Sequence, residues 1–343
     1  MKVKVGIVGG SSLLAGYLID ILNKHPFVEL CYIDSEHYTE QALNKIHKYL
    51  KSINLIERKF DKYSKEFIQK NLDLVFVAKS HTESMNYVKE LYNEELKIID
   101  LSGDFRLKNE NEYEKWYGKK HIAINLLEKA VYGLTEIYRD EIKRAKLIAN
   151  PGCYPTGIIL ALYPLLKNKI IKPERIFIAS YSGVSGAGRN PVPGKNLFID
   201  AFNNIIAYKV TNHQHTPEIE QILNNFSESE ININFVPHIT SIENGIFNTI
   251  FVEPKDNYNE EKIYEIFENE YKDAKFVRIK KDRIPEIKDV VDTNFIDISI
   301  RFNKRNNTIL IFSVIDNRIK GGVGQAVQNM NIMFGYSEET GLL

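Results

Sequence analysis

The stretch that decides the fold lies at the start of the chain and reads Val3-Lys4-Val5-Gly6-Ile7-Val8-Gly9-Gly10-Ser11-Ser12. Its apolar half is typical of a buried strand, and its glycines and serines are typical of a turn. A helical pattern follows from Leu13 to Asn23. A strand that runs through glycines into a helix is where parallel sheets bind nucleotides, because the helix start offers free backbone N–H groups.

Strands continue to alternate with helices over the first hundred or so residues, which predicts a Rossmann-type, doubly wound parallel sheet. The further strands are residues 28–33, 73–78 and 97–100, and the helices among them are residues 64–70 and 84–92. From Arg175 the strands alternate in polarity, which predicts a mixed or antiparallel sheet with one covered face. These strands are residues 175–180, 233–236, 248–252, 296–300 and 308–313. The predicted fold class is α/β, with a second domain of α+β type.

Length and composition limit the class of protein. At 343 residues the chain is too long for one compact core and fits two domains. Its 45 Lys and Arg residues balance 45 Asp and Glu residues, so a nucleic-acid partner is not expected. The two cysteines fit a reducing cytoplasm. Neither a signal peptide nor a membrane-spanning stretch is predicted.

The N-terminal glycine loop departs from the dinucleotide fingerprint, which places three glycines at the spacing G-x-x-G-x-x-G. Counted from Gly9, the second and third positions hold Ser12 and Ala15. The alternative is therefore a plain glycine turn between a strand and a helix. Asp34 stands where a ribose hydroxyl is bound in such folds, which favours NAD, and no arginine follows it for a 2′-phosphate. The candidate cofactor-binding residues of this region are Gly9, Gly10, Ser11, Ser12 and Ser35.

A second informative segment reads Asn150-Pro151-Gly152-Cys153-Tyr154-Pro155-Thr156 and joins a strand to a buried helix. Pro151 and Gly152 supply the bend, and Pro155 suits the first helical turn, where a missing N–H costs nothing. Cys153 is thereby placed at a helix N-terminus, where N–H groups and the helix dipole favour a thiolate. We expect Cys153 to be a nucleophile and Cys31, in mid-strand, to be structural.

Two histidines precede a helix predicted at residues 216–226. His213 and His215 are two apart in extended chain, so both could face Cys153, and one could act as general acid and base. A surface histidine pair is the alternative. No metal site is predicted, because no further cluster of Cys, His or carboxylate residues lies near them in sequence.

A glycine-rich loop follows the strand that starts at Arg175. Gly183 and Gly188 have the separation found in a P-loop, but Arg189 replaces the lysine, so triphosphate binding is rejected. A loop of free N–H groups with an arginine could hold an anionic substrate, whereas the alternative is a tight linker. The candidate substrate-binding residues here are Ser182, Gly183 and Arg189.

With these motifs assembled, the chain resembles the N-acetyl-γ-glutamyl-phosphate reductases, which are related to the aspartate-semialdehyde dehydrogenases. The likeness runs nearly from end to end, and its segments are specific only when taken together. They are residues 100–107, 132–134, 150–156, 183–189, 213–221, 235–238, 293–297 and 316–331.

The resemblance implies an NADP(H)-dependent enzyme of arginine biosynthesis that reduces a small acyl phosphate through a thioester on Cys153. It favours His213 over His215 for the proton, places Asn317 near the nicotinamide, and leaves Arg106 and Arg189 as candidates for the substrate anions. It also implies a cytoplasmic homo-oligomer, either dimer or tetramer. The expected organisation is residues 1–149 for the nucleotide, 150–315 for catalysis and dimerisation, and 316–343 returning to the first domain.

Departures from the family leave alternatives open. Ser12 and Ala15 stand in the nucleotide loop in place of glycines, and Glu36 stands where an arginine is usual. The preference for NADP over NAD therefore stays open. One alternative is the same chemistry on a carrier-protein-linked α-aminoadipyl phosphate of lysine biosynthesis, although the Cys-Tyr-Pro-Thr run from Cys153 favours the arginine branch. Others are a nicotinamide-independent cysteine acyltransferase or hydrolase and a non-catalytic nucleotide-binding protein.

Overall fold

A computed structural model of the chain describes residues 2–187 and 197–343. The chain forms two compact units. The first consists of Met1–Pro151 with Gly322–Leu343, and the second of Gly152–Gly321. The chain therefore leaves the first unit after Pro151, one residue before Cys153, and re-enters it directly after Gly321.

The first unit is built on a six-stranded sheet in the order β2-β1-β3-β4-β6-β5, with every neighbouring pair parallel. Because β1 pairs with both β2 and β3, the winding direction reverses at β1, where doubly wound sheets open a crevice at their carboxyl ends. The strands are β1 Val3–Val8, β2 Val28–Ile33, β3 Leu74–Val77, β4 Lys97–Asp100, β5 Ala130–Tyr132 and β6 Leu147–Ala149. The predicted parallel sheet is confirmed.

Helices accompany this sheet, and apolar residues such as Val75, Val77, Met85 and Ile98 form its core. The helices are α1 Leu13–Lys24, α2 Leu43–Ile46, α3 Lys65–Asn71, α4 Ser84–Leu91, α5 Glu110–Tyr117, α6 Ile124–Leu127 and α7 Thr135–Arg144. A short 3₁₀ turn lies at Ile53–Leu55.

The second unit is built on a seven-stranded sheet in the order β11-β12-β13-β10-β7-β9-β8. The pairs β7–β9 and β11–β12 are parallel and the other pairs antiparallel, so the predicted mixed sheet is confirmed. Its strands are β7 Ile171–Ser182, β8 Ile205–Ala207, β9 Asn234–Thr240, β10 Ile246–Pro254, β11 Val277–Ile279, β12 Ile296–Asn303 and β13 Thr308–Ile315. Its helices are α8 Cys153–Lys167, α9 Leu197–Ala201, α10 His215–Asn224 and α11 Glu260–Tyr271.

Helix α8 packs on one face of this second sheet and is buried from Tyr154 to Leu166. A helix that is apolar all round must lie inside a domain, which explains why α8 shows no polar face. The buried Asn248 on β10 accepts a hydrogen bond from the Ser180 hydroxyl on β7 and donates one to the Ser313 hydroxyl on β13. Ser313 in turn donates to the Gly157 carbonyl of α8. This polar contact fixes α8 along the sheet.

The last helix, α12 Gly324–Met333, belongs to the first unit and is buried along its whole length. Asn329 accepts a hydrogen bond from the Thr135 hydroxyl (2.8 Å) and donates to the Gly133 carbonyl (2.7 Å). Its amide also donates to the side-chain oxygen of Asn150 at 3.1 Å. Buried amides need such partners, so α12 is held in one register against α7 and the end of β6.

Over the described ranges 2–187 and 197–343, the chain has no helix with the length and apolar character that spanning a membrane requires.

Candidate active site

The candidate nucleophile Cys153 is the first residue of α8, and the peptide before it is held from two directions. The Gly152 N–H donates to the Glu218 carboxylate of α10 at 2.8 Å. The Gly152 carbonyl accepts from the Thr156 hydroxyl at 2.9 Å and from its N–H at 3.0 Å. Glu218 has no exposed surface, and a buried carboxylate needs such partners. The start of α8 is therefore fixed by the helix that carries His215.

Gly321 lies close to Cys153. A Cβ built on Gly321 would lie 2.8 Å from the Cβ of Cys153, which real side chains do not tolerate. The Gly321 N–H is bound to the Asp316 carbonyl at 2.9 Å, so this backbone cannot easily retreat. A glycine is required here to leave room for Cys153.

The two histidines lie close together, with ring centroids 4.7 Å apart. The Nδ1 atom of His213 accepts the His215 backbone N–H at 3.1 Å, so the neutral ring carries its proton on Nε2. The Nε2 atom lies 3.3 Å from the hydroxyl of Tyr208. This arrangement gives His213 one tautomer and directs its Nε2 proton at a phenol.

Two tyrosines, Tyr154 and Tyr208, lie next to the histidines and near Cys153. Tyr154, which follows Cys153 in the chain, places its ring 5.6 Å from that of His213 and 5.8 Å from that of His215. Its hydroxyl lies 3.2 Å from that of Tyr208. Burial first, and negative charge at Cys153 in addition, raise the pKa of both phenols, so both stay protonated. The predicted catalytic residues Cys153, His213 and His215 thus share one polar cluster within the second unit.

The loop after β7, where Ser182 and Gly183 are candidate substrate residues, is held by Asn317. The side-chain oxygen of Asn317 accepts the Gly245 N–H at 2.6 Å, and its side-chain amide nitrogen donates to the Ser185 hydroxyl at 3.0 Å. The Gly183 N–H donates to the Gly245 carbonyl at 2.9 Å. Asn317, a candidate cofactor residue, therefore shapes this loop. Arg189 lies outside the described residues.

Arg106, the other candidate for a substrate anion, is buried in the first unit. Its Nε donates to the Asn150 carbonyl at 2.7 Å and one terminal nitrogen donates to the Leu101 carbonyl at 3.2 Å. These bonds make it a support of the segment that ends β6. A contact of Arg106 with substrate stays a prediction.

The glycine loop of the first unit has the shape that a dinucleotide site needs. Gly9 has φ of +83°, and a Cβ on it would lie 2.8 Å from the Ala78 carbonyl oxygen, so a glycine is required. The Gly9 N–H donates to the Asp34 carboxylate at 2.7 Å. Burial raises the pKa of this carboxyl to about 6, and the Gly9 bond opposes that rise. The Ser12 hydroxyl caps α1 by accepting the Ala15 N–H, which gives the serine a role of its own in the loop.

Two more side chains support the same loop. Ser35 donates its hydroxyl hydrogen to the Ser11 hydroxyl at 3.0 Å. The Nε2 atom of His47 lies 2.7 Å from the Gly10 carbonyl oxygen, and a Cβ on Gly16 would lie only 2.5 Å from its Nδ1 atom. Gly16, off the fingerprint spacing, therefore makes room for His47. The loop lies at the start of α1 and at the reversal point of the sheet, so it fits a dinucleotide phosphate.

Sequence reasoning missed Glu218 and Tyr208. Glu218 was detectable, because it falls on the apolar face of α10 four residues before Ile222, where a carboxylate must have a buried partner. Tyr208 carried no such signal, since its contacts come from the fold. Within residues 2–187 and 197–343, no group of three or more His, Cys, Asp or Glu side chains could hold a metal ion.

Comparisons with known proteins match both units. Residues 4–145 match the model of the semialdehyde dehydrogenase NAD-binding domain, and residues 153–317 match that of the semialdehyde dehydrogenase dimerisation domain. A protein of Alkaliphilus metalliredigens named N-acetyl-gamma-glutamyl-phosphate reductase is 42% identical over 99% of this chain and 98% of its own. A protein of the same name from Campylobacter jejuni strain RM1221 is 42% identical over 100% of this chain and 98% of its own.

Solved structures agree in fold. Aspartate semialdehyde dehydrogenase II from Vibrio cholerae matches 98% of this chain and 99% of its own with a TM-score of 0.74 and 15% identity. Aspartate semialdehyde dehydrogenase with NADP from Candida albicans matches 97% of this chain and 99% of its own with a TM-score of 0.71 and 14% identity. At such low identity these likenesses show the fold alone.

Proposed function

The chain belongs to the N-acetyl-gamma-glutamyl-phosphate reductase family, and we propose that it reduces N-acetyl-γ-glutamyl phosphate to N-acetylglutamate 5-semialdehyde in arginine biosynthesis. Its reaction class follows from that membership: it is a nicotinamide-dependent oxidoreductase of the semialdehyde dehydrogenase type. We propose NADPH as the reductant and the cytoplasm as the place of reaction. The observation that carries the proposal is Cys153 at the start of α8, next to a tyrosine that contacts both histidines.

The first step is attack of the Cys153 sulfur on the γ-carbonyl carbon of the acyl phosphate. A carbon–sulfur bond forms, the bond from carbon to the phosphate oxygen breaks, and phosphate leaves with the electron pair. The start of α8 favours the thiolate that attacks, because the helix dipole is positive there. Backbone N–H groups at a helix start are also suitable donors to the oxyanion that develops on the carbonyl oxygen.

NADPH, when bound, supplies a hydride to the thioester carbonyl carbon. In the first unit, Gly9, Gly10, Ser11, Ser12 and Ser35 would hold the dinucleotide. The resulting thiohemiacetal on Cys153 loses its carbon–sulfur bond to release the aldehyde and restore the thiolate. An acid gives the proton that the thiohemiacetal oxygen takes up, and the conjugate base takes this proton back from the hydroxyl when the carbon–sulfur bond breaks.

We assign the acid and base role to His213 in preference to His215. The His213 Nδ1 atom is bound to a backbone N–H, which leaves Nε2 for proton transfer. Nε2 contacts Tyr208, whose pKa is raised by burial first and by charge at Cys153 in addition. Ser182 and Gly183, together with Arg106 and Arg189, stay proposals for binding the substrate anions.

The direct test follows NADP⁺ reduction by absorbance, with purified protein, N-acetylglutamate 5-semialdehyde and phosphate. We expect phosphate-dependent reduction in the wild type and in Cys31→Ser, the matched control. Cys153→Ser should lower the rate by roughly 10³-fold or more while it still binds NADPH. Turnover of Cys153→Ser near the wild-type rate would refute the thioester, and activity with an aminoadipyl substrate alone would refute the proposed substrate.

We also propose that the chain forms a homodimer through the second sheet. The face away from α8 is apolar and half-exposed, as in Phe177 (51% exposed) and Phe251 (38%), which are paired on neighbouring strands. An apolar sheet face of this kind is typical of a subunit interface. Further members of the face are Tyr181, Phe247, Leu310 and Phe312.

The dimer is tested by light scattering during size-exclusion chromatography. Phe251→Asp should shift the wild-type dimer to monomer, whereas Ile53→Asp, on an equally apolar but isolated and exposed residue of the first unit, should leave it dimeric. A wild type that is monomeric at micromolar concentration would refute the proposal.

A further inference from the structure

A cluster of charged side chains lies at the ribose end of the proposed dinucleotide site, after β2 and β3. In doubly wound folds the residue that follows the second strand binds the adenosine ribose. Asp34 does not face a ligand here, because the residue is only 2% exposed and its carboxylate accepts the Gly9 N–H. Glu36, whose side chain is 44% exposed, is the first carboxylate in this region that a ligand can reach.

Lys79 extends from the end of β3 across the glycine turn to Glu36. Its Cδ atom would lie 3.2 Å from a Cβ on Gly9, so its aliphatic stem passes directly beside the glycine loop. Its ammonium lies 3.1 Å from the Glu36 carboxylate and 4.4 Å from the centre of the Tyr87 ring. The Tyr87 hydroxyl donates to the same Glu36 carboxylate.

A second carboxylate also contacts this ammonium. Glu83 lies 3.4 Å from the Lys79 ammonium and accepts the Ser80 hydroxyl at 2.5 Å. Glu36 and Glu83 together outweigh the single positive charge of Lys79, so the cluster is net negative. A 2′-phosphate would have to take Lys79 away from carboxylates that repel the phosphate itself.

We propose that Glu36 and Lys79 set the discrimination between NADP(H) and NAD(H) in this chain. Lys79 is the cation that receives a 2′-phosphate, and Glu36 competes with the phosphate for that cation. The Glu36 carboxylate also accepts a 2′-hydroxyl when the dinucleotide has no phosphate there. The inference rests on the proposed function only in taking the glycine loop as the dinucleotide site.

The test measures binding, not turnover, by fluorescence titration of NADPH and NADH on the full chain. Glu36→Gln should tighten NADPH about tenfold and change NADH less than threefold, because it removes the competing charge. Lys79→Met should weaken NADPH about tenfold and change NADH less than threefold. When Lys79 is already Met, adding Glu36→Gln should tighten NADPH binding less than threefold. The reason is that the Lys79 ammonium, which Glu36→Gln would free for the phosphate, is then absent.

The matched control is Glu29→Gln, which removes a carboxylate from the opposite end of β2 and should change neither dissociation constant by more than twofold. Equal changes for NADPH and NADH in both variants would overturn the proposal. Because no substrate is present, a wrong substrate assignment would leave these constants unchanged. Failure of the wild type to bind either dinucleotide would overturn this inference together with the proposed cofactor.

Discussion

Two turns of this protein lead from a strand into a helix, and they reach a functional shape by different means. The turn before α8 matches its family motif, and the first helical residue, Cys153, is confined by Gly321 and by the bond of Gly152 to Glu218. The glycine loop after β1 lacks two fingerprint glycines. Side chains from outside the loop hold it instead, among them Asp34 and His47. Motif matching alone therefore underestimates the second turn, because its shape depends on distant residues.

Outside the predicted catalytic residues, the largest effect is expected from a change that disrupts the first turn. Gly321→Ala places a methyl group 2.8 Å from the Cys153 Cβ, so the nucleophile must move. A displacement on the order of 1 Å costs about 10²-fold in rate, and we expect kcat to fall by that factor. Steady-state kinetics measures this loss, while NADPH titration should give a dissociation constant within twofold of wild type.

The control is Gly335→Asn, at a left-handed position with open space around it, where asparagine is tolerated. It should keep wild-type kcat. Unchanged kcat in Gly321→Ala would mean that the contact with Cys153 has no part in catalysis.

A second variant tests the proposed acid and base, His213, which precedes α10. His213→Asn retains an acceptor for the His215 N–H but loses the proton-transferring ring. We expect kcat to fall about 10²-fold and its dependence on pH to flatten. His215→Asn, the matched control, should lose less than tenfold, and the reverse order would move the acid and base role to His215.

In the glycine loop, the next prediction concerns the free energy of unfolding and its dependence on pH. The pKa of Asp34 is raised to about 6 from an ordinary value of 3.8, so the folded protein keeps this proton more tightly than the unfolded chain. Stability is therefore lost as pH rises from about 4 to about 6, by roughly 1–3 kcal/mol. Asp34→Asn keeps an acceptor for Gly9 and should remove this loss.

Urea unfolding at pH 4 and pH 7 measures the difference between the two proteins. The variant should gain stability over wild type only at the higher pH. A constant difference at both values would show that the Asp34 carboxyl does not titrate in this range.

The smallest expected effect is on NADPH binding and comes from His47, which supports the glycine loop. His47→Ala removes the bond to the Gly10 carbonyl and should weaken NADPH binding about fivefold, the value of one hydrogen bond. His47→Gln can still donate to that carbonyl and should stay within twofold. If the alanine variant binds NADPH as tightly as wild type does, the loop does not need this support.

Elements of four or more residues with a clear pattern were predictable from the sequence, and most of the three-residue strands were not. β4 has the predicted bounds, and α10 begins and ends within two residues of them. The strands β5, β8 and β11 have three residues each, too few to show a period. Helix α8 begins at Cys153, although the apolar pattern alone starts at Thr156, because the proline and glycine signals mark the bend and not the first helical residue.

The candidate site was predictable only where a motif is local. Cys153 and the two histidines stood out by residue type and position. The contacts of Tyr208 with Tyr154, of Glu218 with Gly152 and of Gly321 with Cys153 join segments that are more than fifty residues apart, so no short window of sequence shows them. The same holds for Lys79 and Glu36, which come together only because β2 and β3 both neighbour β1.

The second unit is inserted within the sequence of the first, between Pro151 and Gly322. Within the first unit, Asn150 donates to the Gly322 carbonyl at 3.0 Å, so the two ends of that unit meet. Within the second unit, Gly152 and Gly321 likewise end side by side at Cys153. A module whose ends coincide can be spliced into a loop of another without stretching either chain. The second unit therefore begins and ends beside Cys153, and grafts between relatives should exchange it at these two junctions.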